Sequence, residues 1–333
     1  ALDLDDKIAG AFDIAIEELV ASYVIDYPGF MRGEIDRVIS EFRTDATDAI
    51  NLMGVIRSLQ GFLPGIVMLD REELQRLSPD ALADRLMILA YENEERGDNL
   101  YQLLRAMGRF LPILPTIPNL GLLARNRSGQ MQTKDRWRRE YIDHIDELYN
   151  DFLAEQIAPD ERTRIWTKAE NNLNQAFGQF RTEGLTSKTA AQRQSKFRLQ
   201  VDKALRDLLI DSLSALDGEQ LISALNAYVT KQQVKWQERI GEDEYRNFQR
   251  SLLLSATDNE WRDYLTAMDD LRREIGLTAL GQRDPKVEYK KRSYEMFTDM
   301  RLNIDKDVAD RFFRQIANHL AFVERQQAEV AYK

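Results

Sequence analysis

Few residues in this chain are of types that do chemistry, and their spacing decides which chemistry is open to them. Two histidines exist, His144 and His319, far apart and in neither a Glu-x-x-His nor a His-x-x-x-His spacing, so neither a metal centre nor a di-metal helical bundle is supported. His144 sits among Asp143, Asp146 and Glu147 and reads as a helix residue beside solvated carboxylates. The acidic run from Glu92 to Glu95 cannot form an acid–base pair, because adjacent helical residues point in different directions. No Gly-x-x-x-x-Gly-Lys-Ser/Thr loop occurs, and no strand leads through a glycine-rich turn into a helix, so no nucleotide or other cofactor is expected to bind this chain. The absence of cysteine removes disulfides and thiolate chemistry and is compatible with a cytosolic setting. What remains is contact chemistry, carried by one basic cluster and one apolar hairpin tip.

The cluster comprises Arg125, Arg127, Lys134, Arg136, Arg138 and Arg139 against the single acid Asp135. The whole chain has a net charge of −10, so any attraction to an anionic surface must be local. Three readings stay open for the cluster: pairing with the acidic N-terminal third, contact with anionic lipid or a protein held in the membrane, and contact with nucleic acid.

The hairpin is encoded between residues 243 and 320. Trp261, Leu265, Met268, Leu271 and Ile275 recur at steps of three and four, which predicts one face of a helix. Phe297, Met300, Ile304, Val308, Phe312 and Ile316 predict a second. Between them Gly276 and Gly281 loosen the connection, Asp284 can cap the next helix, and Pro285 suits a first turn where its missing N–H has no partner. Trp137, Trp166 and Trp261 all fall at core spacing and read as packing residues.

This hairpin resembles the two-helix finger of SecA, the motor of bacterial protein secretion. The resemblance rests on Trp261, Leu265, Met268-Asp269, Leu271-Arg272, Ile275, Leu277, Gln282-Arg283-Asp284-Pro285 and Glu288-Tyr289-Lys290. It departs at Tyr264, where most SecA fingers carry His. It departs also at the tip, which reads Leu277-Thr278-Ala279-Leu280-Gly281-Gln282, so that Leu280 stands where the family has an aromatic residue. The resemblance implies that the tip contacts the SecY channel and an unfolded preprotein. It further implies that ATP and Mg belong to motor domains outside this chain, and that the protein is cytoplasmic and peripherally associated with the inner face of the plasma membrane. Trp261, Leu265, Met268, Leu271, Arg272, Asp284, Pro285 and Tyr289 are the expected framework of the finger.

The rest of the chain also reads as helical. Its 16 Gly and 8 Pro are too few for the frequent turns of an all-β protein, and the 31% of charged residues suit solvated helix faces. The most apolar run, Phe110 to Ala124, is interrupted by Pro112, Pro115 and Pro118 and is shorter than the ~20 residues a membrane span needs. The acidic start, ALDLDD, does not read as a signal peptide.

Ile8, Phe12, Ile16, Leu19 and Tyr23 predict a first helix closed by Pro28 and Gly29. Ile35, Val38, Ile39 and Phe42 predict a second, Ile50, Met53, Ile56 and Leu59 a third, and Ser78-Pro79 opens a fourth with Leu82, Leu86 and Leu89 inward. Residues 1–104 resemble the helical wing of SecA more weakly, and the scaffold helix that leads into that wing is not in this chain, as expected of a fragment. Residues 105–242 read as an added helical bundle, with Tyr141, Ile145, Leu148 and Phe152, then Ile165, Leu173 and Phe177, then Phe197, Val201, Leu205 and Leu208, then Leu221, Leu225 and Tyr228. The expected whole is all-α: a wing at 1–104, an inserted bundle at 105–242 and a two-helix hairpin at 243–333, serving a protein translocase. The rival from another class is a stand-alone helical adaptor that binds a partner helix.

Overall fold

The computed structural model describes residues 4–43, 50–108, 110–111, 130–180, 187–278 and 285–331. Among these the protein is all-α; the only β feature is an isolated bridge between Arg43 and Ile50. No described helix is long and apolar enough to cross a membrane.

Local chemistry sets the helix ends. Helix α1 (Leu4–Val20) passes into a π-helical turn at Ala21–Ile25, and α2 spans Tyr27–Glu41. Pro28 and Gly29, expected to close the first helix, instead open the second. Asp26 caps α2 by accepting from the Gly29 N–H at 3.2 Å, and Pro28 sits in its first turn, where no amide hydrogen is needed. In α3 (Leu52–Leu59) the cap is Asn51, and Leu52 and Val55 join Ile56 and Leu59 in the core, whereas Met53, expected inward, is exposed. Helix α4 is Arg71–Gln75. Helix α5 (Pro79–Glu95) begins as expected, Ser78 Oγ accepting from Ala81 N–H at 3.3 Å and Leu82, Leu86 and Leu89 buried. Helix α6 is Asp98–Met107.

Then follow α7 (Gln130–Asp151), α8 (Pro159–Gln179), α9 (Ser187–Leu213) and α10 (Gly218–Ile240). Asp217 and Gln220 cap α10 reciprocally: Asp217 Oδ1 accepts from Gln220 N–H at 2.8 Å, and Gln220 Oε1 from Asp217 N–H at 3.1 Å. Gly241, at a φ of 95° that side chains rarely adopt, separates α10 from α11 (Glu242–Thr278). The last helix, α12, runs Pro285–Ala331.

Contacts gather into two compact units that cut across the three stretches expected from the sequence. One comprises residues 1–18, 109–112 and 225–333; the other comprises 19–108 and 113–224. In the first, α11 packs along α12, and the start of α1 joins them through a ring cluster in which Phe12 meets Phe312 edge-on at 5.6 Å, Phe313 at 5.5 Å and Phe110 at 6.2 Å. Gln249 donates to Asp5 at 2.6 Å and Lys306 pairs with Glu18 at 2.6 Å, fixing the same docking from the polar side.

In the second unit α2 packs on α5, α8 packs on α9, and α6 rests against α9. The expected core positions Tyr141, Ile145, Leu148, Phe152, Ile165, Leu173, Phe177, Phe197, Val201, Leu205 and Leu208 are all buried there. Trp166 is half-buried and stacks on Tyr149 at 4.9 Å. Where α6 meets α9, the buried Asp98 carboxylate accepts from Arg206 at 2.9 Å and Arg96 at 3.1 Å. Beside it, the Tyr101 hydroxyl reaches Asp202 at 3.4 Å.

Candidate functional site

The hairpin of α11 and α12 holds the candidate site at its tip. Near the tip Met268, Leu271 and Ile275 are buried and are flanked by half-buried Tyr264, Tyr289 and Met296. Two polar contacts bridge the helices beside this cluster. Arg292 donates through both Nη atoms to the two oxygens of Glu274, each at 2.9 Å, which holds the Glu274 carboxyl below its ordinary value. Arg272 Nε donates to the Tyr289 hydroxyl at 3.4 Å and Nη1 reaches Asp269 at 3.2 Å. The apolar trio and the paired charges together lock the axial register of the two helices just before the tip.

Of the expected framework, Met268, Leu271, Arg272 and Tyr289 are thus brought together. Trp261 and Leu265 are not: they stand 44% and 48% exposed, which corrects their expected place on the packed face. The cause is a change of partner along α11. Buried Tyr245, Phe248, Leu252 and Ala256 lie on one face near the base, where α12 packs on the helix and Asp5 of α1 reaches it through Gln249. At 100° per residue, the Met268–Ile275 face is turned from that one by roughly 130°, and Trp261 and Leu265 lie on the side of the helix away from the base face. The Trp261 ring meets that of Tyr264 at 5.5 Å, and Tyr264 in turn meets Phe297 at 6.0 Å. In α12 Met300, Val308, Phe312 and Ile316 are buried as expected, while Phe297 is 39% exposed and Ile304 half-buried.

At the tip itself Leu277 and Thr278 continue α11 as helix, and Pro285 begins α12; of their side chains nothing is described. Ala279, Leu280, Gly281, Gln282 and Asp284 lie outside the described residues. In the basic cluster Arg125 and Arg127 lie outside them as well, and Arg136 is described only as part of helix α7. Arg138 and Arg139 are exposed, Arg138 donating twice to Asn174 Oδ1, at 3.1 and 2.6 Å.

The pair Glu274 and Arg292 was missed in the sequence. Its signal was an acid and a base set one step further from the tip than Arg272 and Tyr289, visible only once the hairpin register is assumed. Among the described residues no group of His, Asp and Glu is placed to hold a metal ion. His319 Nε2 lies 2.7 Å from Glu244, and His144 is half-buried with its Nε2 unpartnered, so that burial pushes its pKa down.

Comparison with known proteins agrees with this geometry. A family described as the SecA Wing and Scaffold domain matches residues 125–315, which takes in most of the stretch read as inserted as well as the hairpin. The protein translocase subunit SecA of Roseiflexus sp. strain RS-1 is 37% identical over 120 residues, 35% of this chain and 12% of that protein. SecA of Solibacter usitatus is 40% identical over 111 residues, 32% of this chain and 11% of the relative. That of Desulforamulus reducens is 45% identical over 96 residues, 29% and 11%. The aligned part therefore spans little more than a tenth of these relatives. No solved structure matches the chain. The family match extends over more than half of the chain, through the hairpin and the helices that precede it, and the chain belongs to the SecA wing and scaffold family.

Proposed function

We propose that this chain is the wing-and-scaffold part of a SecA-type protein translocase, and that its hairpin tip touches an unfolded preprotein at the mouth of the SecY channel. ATP-driven motion of motor domains outside the chain would be delivered to the tip through α11 and α12. The observation that carries this reading is the locked register beside the tip. Two helices joined by Met268, Leu271 and Ile275 and by the Glu274–Arg292 pair transmit an axial push without sliding past one another. The segment Leu277-Thr278-Ala279-Leu280-Gly281-Gln282 offers an apolar contact without sequence preference and no group for bond chemistry.

The exposed Trp261, Leu265 and Phe297 suit docking against the chain's own motor domains. Arg125, Arg127, Arg136, Arg138 and Arg139 suit an anionic membrane surface, which fits a cytoplasmic protein held peripherally at the inner face of the plasma membrane; nucleic acid is not a proposed partner. Assigning 1–104 to a wing-like region, 105–242 to an added helical segment and 243–333 to the finger belongs to the same proposal. The test is Leu280→Gly in the full-length motor, with transport and ATPase measured on membranes that carry the channel. Transport should fall while basal ATPase stays near wild type; unchanged transport would reject the tip contact.

A further inference from the structure

Within the second unit, helices α7, α8 and α9 meet at one end through a layer of rings. Tyr141 of α7 packs on Phe177 of α8 at 5.6 Å, and Phe177 and Phe180 each meet Phe197 of α9 at 5.1 Å. Polar contacts repeat the arrangement around the layer: Arg138 of α7 donates to Asn174 of α8, and Gln200 of α9 donates to Gln179 at 2.7 Å. Three segments far apart in sequence are thus held side by side.

The charge at this end is almost all of one sign. Residues 171–180 of α8 carry no charge, and 193–201 of α9 carry Arg193, Lys196 and Arg198 without an acid; α7 adds Arg138 and Arg139 beside one acid, Glu140. Arg138, Arg139, Lys196 and Arg198 are exposed, and Arg139 and Lys196 have no carboxylate partner among the described residues. The next carboxylate along α9, Asp202, is partly buried and is faced by both Arg105 and Arg198, so one acid answers two cations. Further along α7 the sign reverses, at Asp143, Asp146, Glu147 and Asp151. A chain with a net charge of −10 therefore gathers positive charge at one end of this bundle.

Exposure decides which anionic partner this end suits. All four rings of the layer are buried, so none offers a face on which a nucleic-acid base could stack. Leu199, by contrast, is 69% exposed, with Lys196 three residues before it and Lys203 four residues after it on the same face of α9. An alkyl group bracketed by lysines matches an anionic bilayer, which takes the cations at its headgroups and the apolar group at the acyl boundary. Lys196 and Lys203 are ~10 Å apart along the helix, a spread that suits a field of charges better than one anion. Between α8 and α9 a cleft of about 200 Å3 is lined by Gln179, Phe180, Arg193, Lys196, Phe197 and Gln200, and by no described carboxylate.

We propose that this end of the α7–α9 bundle is a docking face for an anionic lipid bilayer, with Lys196, Arg198 and Lys203 at headgroup phosphates and Leu199 at the acyl boundary. It extends to α9 the membrane contact proposed above for α7, and rests on that reading. The acidic stretch of α7 is repelled by the same surface, which turns the basic end toward the lipid.

The chain has no cysteine, so Leu199→Cys creates a single site for an environment-sensitive dye, and Asp160→Cys, exposed at the start of α8, serves as control. With vesicles made half of phosphatidylglycerol and half of phosphatidylcholine, the dye on Leu199→Cys should shift to the blue and the dye on Asp160→Cys should not. Neither should respond to pure phosphatidylcholine. Lys196→Gln combined with Arg198→Gln in the whole unlabelled chain should weaken sedimentation with the mixed vesicles by roughly twentyfold, at about fivefold for each charge removed, and added salt should weaken it further. Circular dichroism melts confirm that these surface variants are folded. The proposal is overturned if the Leu199→Cys dye does not shift, or if the α9 pair leaves vesicle binding unchanged. In that second case, a loss of binding in Arg138→Gln with Arg139→Gln would preserve the contact of α7 alone, whereas a wild type that ignores anionic vesicles would remove both. It is equally overturned if an RNA oligonucleotide binds more tightly than the vesicles with the same dependence on Lys196 and Arg198, which would make this end a nucleic-acid site.

Discussion

Arg292 on α12 grips both carboxylate oxygens of Glu274 on α11 at 2.9 Å, a two-pronged bridge between the hairpin helices one step further from the tip than Arg272 and Tyr289. Both side chains are solvated, so the pair contributes register more than stability. Arg292→Ala should leave the melting temperature close to wild type yet accelerate amide hydrogen exchange in 268–278 and 285–296. The exchanged pair Glu274→Arg with Arg292→Glu should restore protection at low salt. Equal exchange in all three proteins would show that the apolar trio alone sets the register.

Burial separates residues that share one sequence pattern. Leu271 is 2% exposed and Leu265 48%, although both belong to the same three-and-four series. Leu271→Ala should cost about 2–3 kcal/mol, toward the low end for a buried leucine because the tip cluster is small. Leu265→Ala should cost less than about 0.5 kcal/mol. Urea unfolding of the two variants measures both, and similar losses would place Leu265 in a core after all.

The contact of α6 with α9 should depend on one carboxylate. Asp98 is buried and holds two partly exposed guanidinium groups, so Asp98→Ala leaves Arg206, whose Nε is already buried without a partner, with only the longer contact to Asp207 at 3.4 Å. The expected loss is about 1–3 kcal/mol, below that for a fully buried pair because Arg206 is a third exposed and Arg96 half exposed. Denaturant titration of the variant provides the figure; a loss near zero would make the network decorative.

Acid should weaken the fold through His144. Its folded pKa lies below the ordinary 6.5 because burial disfavours the cation, an effect larger than the opposing influence of Glu147. The unfolded chain then binds the extra proton first, so stability is full above pH 6.5 and falls as the pH drops below it toward the folded value. Melting temperatures from pH 7.5 to 5.5 should decline in the wild type and decline less in His144→Gln. Asp202, pushed up by burial, acts with the opposite sign: it favours the fold at acidic pH and loses that advantage as pH rises above the ordinary 3.8. Parallel slopes in the wild type and His144→Gln would remove His144 from the account.

The chain should neither bind nor hydrolyse ATP by itself, since it contains no phosphate-cradling loop. Calorimetric titration with MgATP should give only heats of dilution, and saturable binding would contradict this expectation.

The sequence by itself determined what depends on near neighbours. Ser78-Pro79 and Asp217 with Gln220 start helices because a cap needs only side chain and amide a turn apart. Met268, Leu271 and Ile275 form one apolar stripe because 3.6-residue periodicity places them together whatever lies opposite. The tertiary structure decided what depends on which helix comes to lie against which. It turned the buried face of α11 between base and tip, and so left Trp261 and Leu265 outside. It joined residues 1–18 to 225–333 through Phe12, Phe312 and Phe313, and brought Arg206 to Asp98 and Arg292 to Glu274. Periodicity states which side of a helix is apolar, but coverage is a property of the neighbour, and the neighbours here come from distant parts of the chain.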